Sequence, residues 1–98
     1  MARIDEELEL ELVLAEPEKY KVLLHNDDYS TMDFVVDILM KVFHKTINQA
    51  EEIMITIHQS GKAVCGIYTF EIAETKVYQV KELGKSEGFP LLATMEEL

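Results

Sequence analysis

The 98 residues, 48% of them hydrophobic and 29% charged, are enough for one compact domain with a single core. The formal net charge of −10 would repel a phosphate backbone, so no nucleic acid is expected as a partner. No apolar run approaches the roughly 20 residues of a membrane span, so no membrane association is expected either. The single cysteine and the lack of a signal-peptide pattern favour the cytoplasm.

Acidic side chains are concentrated in the first 18 positions, where seven Asp and Glu residues stand against one base, Arg3. Leucine and glutamate alternate from Glu7 to Leu12 with the period of a β-strand, but acids at every second position disfavour a sheet. We therefore predict a flexible acidic extension at residues 1–18, with a strand as the alternative. The core domain is predicted at residues 19–98.

The core domain is predicted to begin with a strand from Tyr20 to His25. The run Asn26-Asp27-Asp28 ends this strand, because its short polar side chains favour a turn. A first helix follows and is predicted to extend to about His44, with the Ser30 hydroxyl as its N-cap.

A second helix is predicted to begin at the capping box formed by Thr46 and Gln49 and to end at Gly61. The next segment, Ala63–Phe70, is rich in β-branched and aromatic residues and predicts a strand. Both predicted boundaries of the second helix rest on local signals in the sequence.

The last two elements are a third helix at Glu71–Leu83, closed by Gly84, and a short strand at Leu91–Met95 after Pro90. The complete order is β-α-α-β-α-β. One sheet with helices over one face is the simplest packing of these elements, so we predict an α+β domain.

The polar residues of the core give few signs of chemistry. By spacing alone, Asn26-Asp27-Asp28 favours a turn, and His58, at the edge of an apolar helix face, favours a hydrogen-bonded boundary role. The histidines and Cys65 share no metal-ligand spacing, and no phosphate loop or dinucleotide fingerprint is present. We therefore expect no metal, no cofactor and no enzymatic activity.

Four blocks of the sequence match one protein family in order. They are Tyr20–Val35, His58–Gly66, Ala73–Val77 and Pro90–Met95. Together they resemble the ClpS family, the bacterial adaptors that bind N-degrons, over residues 20 to 95. The resemblance implies a three-stranded antiparallel sheet with three helices packed on it. Family members commonly have Thr-Pro where this chain has Ser30-Thr31.

The resemblance also implies a function. Such monomeric adaptors bind substrate proteins that begin with Leu, Phe, Tyr or Trp and deliver them to ClpA, the unfoldase of the ClpAP protease. Asn26, Asp28 and His58 correspond to residues that hold the α-amino group, and Asp27 to one that organises the loop or meets the substrate backbone. The implied side-chain pocket consists of Ser30, Met32, Val35, Met54, Ile57, His58 and Leu91.

Two further parts of the chain gain an implied role from the resemblance. Glu71 and Lys76 correspond to positions that contact the N-terminal domain of ClpA. The acidic extension at residues 1–18 falls where the family has a segment needed for handover.

Two alternatives stay open from the residues themselves. A generic protein–protein interaction module would use the extension and the helix faces, without specificity for an N-terminal residue. A small hydrolase would use His58 with Asp27 or Asp28. Competition by dipeptides with free amines is expected only of the adaptor, and substrate turnover only of the hydrolase.

Overall fold

The computed structural model describes residues 18–98, so the predicted extension lies, apart from its last residue, outside the described residues. The elements are β1 (Lys19–His25), α1 (Met32–Lys41), α2 (Ile47–Ser60), β2 (Lys62–Thr69), α3 (Phe70–Glu87) and β3 (Leu92–Glu97). The predicted order and the α+β class are confirmed. Within residues 18–98, none of the helices combines the length and the apolar character that a membrane crossing requires.

The three strands form one antiparallel sheet in the order β2-β1-β3. The central strand pairs with both neighbours up to its last residue, since His25 stands opposite Lys62 on one side and Leu92 on the other. The loop that follows β1 therefore leaves the sheet from a fixed point.

The hydrophobic core lies between the sheet and the three helices. Strand β1 contributes Val22 and Leu24, which are fully buried, and α1 contributes Ile38 and Leu39. The remaining buried members of this cluster are Phe34, Val35, Val42, Phe43, Ala50, Ile57, Cys65, Ala73, Val80, Leu91 and Ala93. Each large aliphatic side chain removed from water contributes about 1.5–3 kcal/mol, so this cluster holds the helices against the sheet.

The boundaries predicted for α1 are wrong at both ends. Thr31, not Ser30, is the N-cap, and its hydroxyl accepts a hydrogen bond from the Phe34 N–H at 3.1 Å. The helix ends at Lys41 instead of near His44, because His44 has the left-handed φ of 55°. Thr31 thus supplies a cap where the family commonly has proline.

The predicted boundaries of α2 are confirmed. The Thr46 hydroxyl accepts from the Gln49 N–H at 3.2 Å, and the Gln49 side chain accepts from the Thr46 N–H at 3.0 Å. Gly61 follows the helix with a left-handed φ of 89°, which glycine adopts without steric cost.

Helix α3 is longer than predicted, and Gly84 is not its end. The helix continues to Glu87 and is closed by Gly88, which has the left-handed φ of 81°. Gly84 is buried inside the helix, where an added Cβ would lie 2.6 Å from the Phe89 carbonyl oxygen. This glycine therefore permits the close approach of the segment that leads into β3. The three strands differ from their predicted bounds by one or two residues.

Candidate functional site

A pocket of about 280 Å³ lies where the loop after β1 meets α1 and the C-terminal half of α2. Its lining residues are Asn26, Asp27, Asp28, Ser30, Met32, Val35, Met54, Ile57 and His58. The structure thus brings together all residues that the family resemblance assigns to amine and side-chain binding, with the exception of Leu91.

The pocket has a polar rim and an apolar base. Asn26, Asp28 and His58 are exposed to solvent, whereas Val35 and Ile57 are only 7% and 2% exposed. A ligand that enters would therefore leave its polar end at the rim and bury its apolar end.

Leu91 lies behind the base of the pocket. It is 6% exposed and lines a separate cavity of about 10 Å³, together with Val35, Ile57 and Ser30 from the pocket wall. It therefore supports the base from the side of β3 and does not line the pocket of about 280 Å³.

One backbone hydrogen bond connects the two polar sides of the rim. The Asn26 N–H donates to the carbonyl oxygen of Gly61 at 2.8 Å. Gly61 is itself held at the end of α2, because its N–H donates to the Ile57 carbonyl oxygen at 2.9 Å. The loop is thereby fixed beside the last turn of α2, which carries His58.

Asp27 shapes the loop between Asn26 and α1. Its Oδ1 accepts hydrogen bonds from the backbone N–H groups of Tyr29 at 2.8 Å and Ser30 at 2.6 Å. Burial acts to raise the pKa of this carboxyl, but these N–H groups and the nearby Ser30 hydroxyl outweigh it and lower the pKa. That hydroxyl lies close to the carboxylate without the geometry of a hydrogen bond.

A pH dependence follows from this lowered pKa. The charged carboxylate stabilises the fold above the ordinary carboxyl range of about pH 4, and this contribution is lost as the pH falls through the folded-state pKa. We expect Asp27→Asn to cost roughly 1 kcal/mol at neutral pH and progressively less below about pH 4. Urea unfolding at several pH values measures this, with Asp28→Asn as a matched control expected to change stability by less than about 0.5 kcal/mol. A cost for Asp27→Asn that is independent of pH would contradict the assignment.

Glu71 and Lys76 lie on α3 and do not line the pocket. Glu71 is exposed in the first turn of the helix. The Lys76 ammonium donates to the Val42 carbonyl oxygen at 2.6 Å and lies 5.6 Å from the centre of the Tyr68 ring. This attachment of α3 to the end of α1 joins residues 34 positions apart, so the sequence held no signal for it.

The hydrolase alternative and a metal site can each be compared with the contacts of residues 18–98. His58 makes no hydrogen bond to Asp27 or Asp28, and no cluster of three potential metal ligands is present in that range. Burial raises the pKa of the Cys65 thiol to about 12, so the thiol is protonated at neutral pH and is a poor nucleophile.

Comparison with known proteins places this architecture in a family. The family described as "ATP-dependent Clp protease adaptor protein ClpS" matches residues 15–94. The ATP-dependent Clp protease adapter protein ClpS of Wolinella succinogenes is 52% identical over 91 residues, which are 93% of this chain and 89% of that protein. The protein of the same name from Oleidesulfovibrio alaskensis is 51% identical over 96 residues, which are 98% of this chain and 92% of that protein.

The fold agrees as well. The solved structure of Agrobacterium tumefaciens ClpS2 bound to L-phenylalaninamide matches with a TM-score of 0.82 and 41% sequence identity, over 85% of this chain and all of that chain. The order of elements, the sheet and the sequence matches agree on one conclusion: the chain belongs to the ClpS family of ATP-dependent Clp protease adaptor proteins.

Proposed function

We propose that this adaptor binds proteins by a bulky apolar first residue, namely Leu, Phe, Tyr or Trp, and delivers them to the ClpA unfoldase of the ClpAP protease. The observation that carries the proposal is the pocket, in which exposed polar side chains surround a buried apolar base. An N-terminal residue has the complementary form, since its ammonium group lies directly beside its side chain.

The rim offers the acceptors that an ammonium group needs. Asp28 supplies a carboxylate, Asn26 an amide oxygen, and His58 in its neutral form a ring nitrogen. Hydrogen bonds to charged groups contribute roughly 1.5–3 kcal/mol each. An internal residue of a protein has no α-ammonium group, so a rim that binds this group beside a filled apolar base selects for the start of a chain.

The base selects for size and apolar character. Met32, Val35, Met54 and Ile57 supply the apolar surface, and an aromatic side chain of about 150–250 Å² would gain roughly 4–6 kcal/mol there. Association itself costs roughly 4–15 kcal/mol, so the side chain alone is insufficient. Both the free amine and the bulky side chain are therefore required.

The ligand of the solved relative supports this specificity. L-phenylalaninamide combines a free α-amino group with a benzyl side chain, and Agrobacterium tumefaciens ClpS2 has been solved with it bound. The two folds agree with a TM-score of 0.82, which supports the proposal that the present pocket takes a ligand of the same kind.

Delivery uses surfaces away from the pocket. Glu71 on α3 is exposed for contact with the N-terminal domain of ClpA, and Lys76 lies five positions further along the same helix. The acidic residues 1–18 serve the handover. In this proposal the protein acts as a monomer in the cytoplasm and performs no catalytic step of its own.

A screen of peptides that differ only in their first residue tests the proposal. Fluorescence anisotropy should give dissociation constants of about 1 μM for peptides beginning with Phe, Leu, Tyr or Trp, near −8 kcal/mol. Peptides beginning with Gly, Asp or Lys should bind much more weakly, because they leave the apolar base unfilled or desolvate a charge there. Equal binding of all peptides would instead favour a generic interaction module.

A further inference from the structure

Methionine side chains form part of the pocket, and they differ in their access to solvent. Four methionines lie within residues 18–98, and two of these, Met32 and Met54, line the pocket. Met32 is 53% exposed, compared with 39% for Met40, while Met54 and Met95 are half-buried. Among the methionines of residues 18–98, the most exposed one thus lies at the mouth of the pocket.

We propose that Met32 is a site of reversible oxidation, and that its sulfoxide weakens the binding of N-terminal residues. The inference rests on the proposed function, because its readout is peptide binding. Its premise, an exposed methionine in the lining of the pocket, is independent of which ligand binds.

The reaction requires only a peroxide as oxidant. The Met32 sulfur uses a lone pair to attack the O–O bond of hydrogen peroxide, takes up one oxygen atom and loses two electrons, and one water molecule is released. The product has a polar S–O group in place of an apolar thioether, and methionine sulfoxide reductases reverse the change with electrons from thiols. The Met32 sulfur is the atom of the protein that changes in this reaction.

The surroundings of Met32 make the sulfoxide unfavourable for a bound ligand. The neighbouring pocket residues Val35, Met54 and Ile57 offer no hydrogen-bond donor to the new oxygen. Donors in the lining are on Asn26, Ser30 and His58; the Ser30 hydroxyl is buried, and the other two side chains hold the amine of the ligand in the proposed complex. Carboxylate oxygens, such as those of Asp27 and Asp28 in the same lining, are acceptors. An apolar ligand would strip water from the sulfoxide without replacing its hydrogen bonds, which costs binding free energy.

The other sulfur-containing residues of the described chain are either less accessible to peroxide than Met32 or lie outside the pocket. Cys65 is 1% exposed, and burial raises the pKa of its thiol to about 12, so little reactive thiolate is present. Met54 and Met95 are less accessible, and Met40 does not line the pocket. Mild peroxide treatment should therefore modify Met32 before the other pocket methionine.

The test is peptide binding by the 98-residue protein before and after treatment with hydrogen peroxide. Peptide mapping by mass spectrometry follows oxygen uptake at each methionine, and anisotropy follows the affinity for a Phe-first peptide. We expect a loss of affinity of about tenfold in proportion to Met32 sulfoxide, with recovery after a sulfoxide reductase. A thermal melt checks that the oxidised protein is folded.

Two variants make the test specific. Met32→Leu has no sulfur at this position, so peroxide should leave its dissociation constant at the variant's own untreated value, even where that value differs from wild type. Met40→Leu removes the second exposed methionine of residues 18–98, and the peptide affinity of this variant should stay sensitive to peroxide. Unchanged affinity of wild type with fully oxidised Met32, or equal sensitivity of Met32→Leu, would overturn the inference. Failure of the untreated protein to bind the Phe-first peptide would instead overturn the proposed function.

Discussion

Acetylation of the α-amino group is expected to abolish the binding of a Phe-first peptide. Acetylation removes the positive charge and two of the three N–H donors, while the side chain that fills the apolar base is unchanged. Losing two hydrogen bonds from the charged ammonium group removes roughly 3–6 kcal/mol, which is a drop in affinity of at least about 100-fold. Fluorescence anisotropy with the paired free and acetylated peptides measures the difference.

Variants of the rim show whether the loss arises at the proposed site. Asp28→Asn keeps the shape of the side chain but removes its charge, so it should weaken the free peptide much more than the acetylated one. Asp33→Asn is a matched control, because Asp33 is an exposed acid of α1 outside the pocket lining. Equal affinity of wild type for both forms of the peptide would falsify the amine site.

Reversal of the charge on Glu71 is expected to slow substrate degradation by about tenfold or more and to leave peptide affinity unchanged. The side chain is exposed on α3 and has no contact with the pocket, so it is free to meet the unfoldase. Degradation of a Phe-first substrate by ClpAP and peptide anisotropy, measured on the same Glu71→Lys preparation, separate delivery from recognition.

The same helix offers a control for this reversal. Glu74→Lys changes an exposed acid three positions further along α3 and should leave both measurements unchanged. Lys76→Glu is a less specific test, since it would leave the Val42 carbonyl oxygen without the ammonium donor and destabilise the protein. If folded Glu71→Lys lost peptide binding, or degraded substrate at the wild-type rate, the division between delivery and recognition would be wrong.

The order of the elements was predictable because its signals are local. The capping box at Thr46 and the left-handed Gly61 are fixed by residues within one turn, so the bounds of α2 follow from the sequence. Ser30 and Thr31 both carry a hydroxyl that can cap α1. Which of the two is the N-cap depends on Asp27, which accepts a hydrogen bond from the Ser30 N–H. Glycine commonly ends a helix, so the sequence predicts a helix end at Gly84. In the structure Gly84 lies inside α3, where its missing side chain leaves room for the backbone of Phe89.

The candidate site was harder to predict from local sequence patterns than the order of the elements. Asn26-Asp27-Asp28 and His58 each favour an ordinary structural role when taken alone, and only the family resemblance joined them into one site. The structure places them around one pocket through the hydrogen bond from the Asn26 N–H to Gly61, which joins distant parts of the sequence. Neither hydrophobic periodicity nor a capping motif predicts a hydrogen bond between residues so far apart in the sequence.

The separation of a polar rim from an apolar base has a consequence for how specificity could evolve. In the proposed complex, the rim residues would face the α-amino group that every N-terminal residue carries, whereas Val35 and Ile57 would face the side chain, which varies. Substitutions at the base could therefore change the accepted side chain without rebuilding the amine contacts. A duplicated gene could reach a new substrate range through one or two such changes, with the surface of α3 that is proposed to contact the unfoldase left intact.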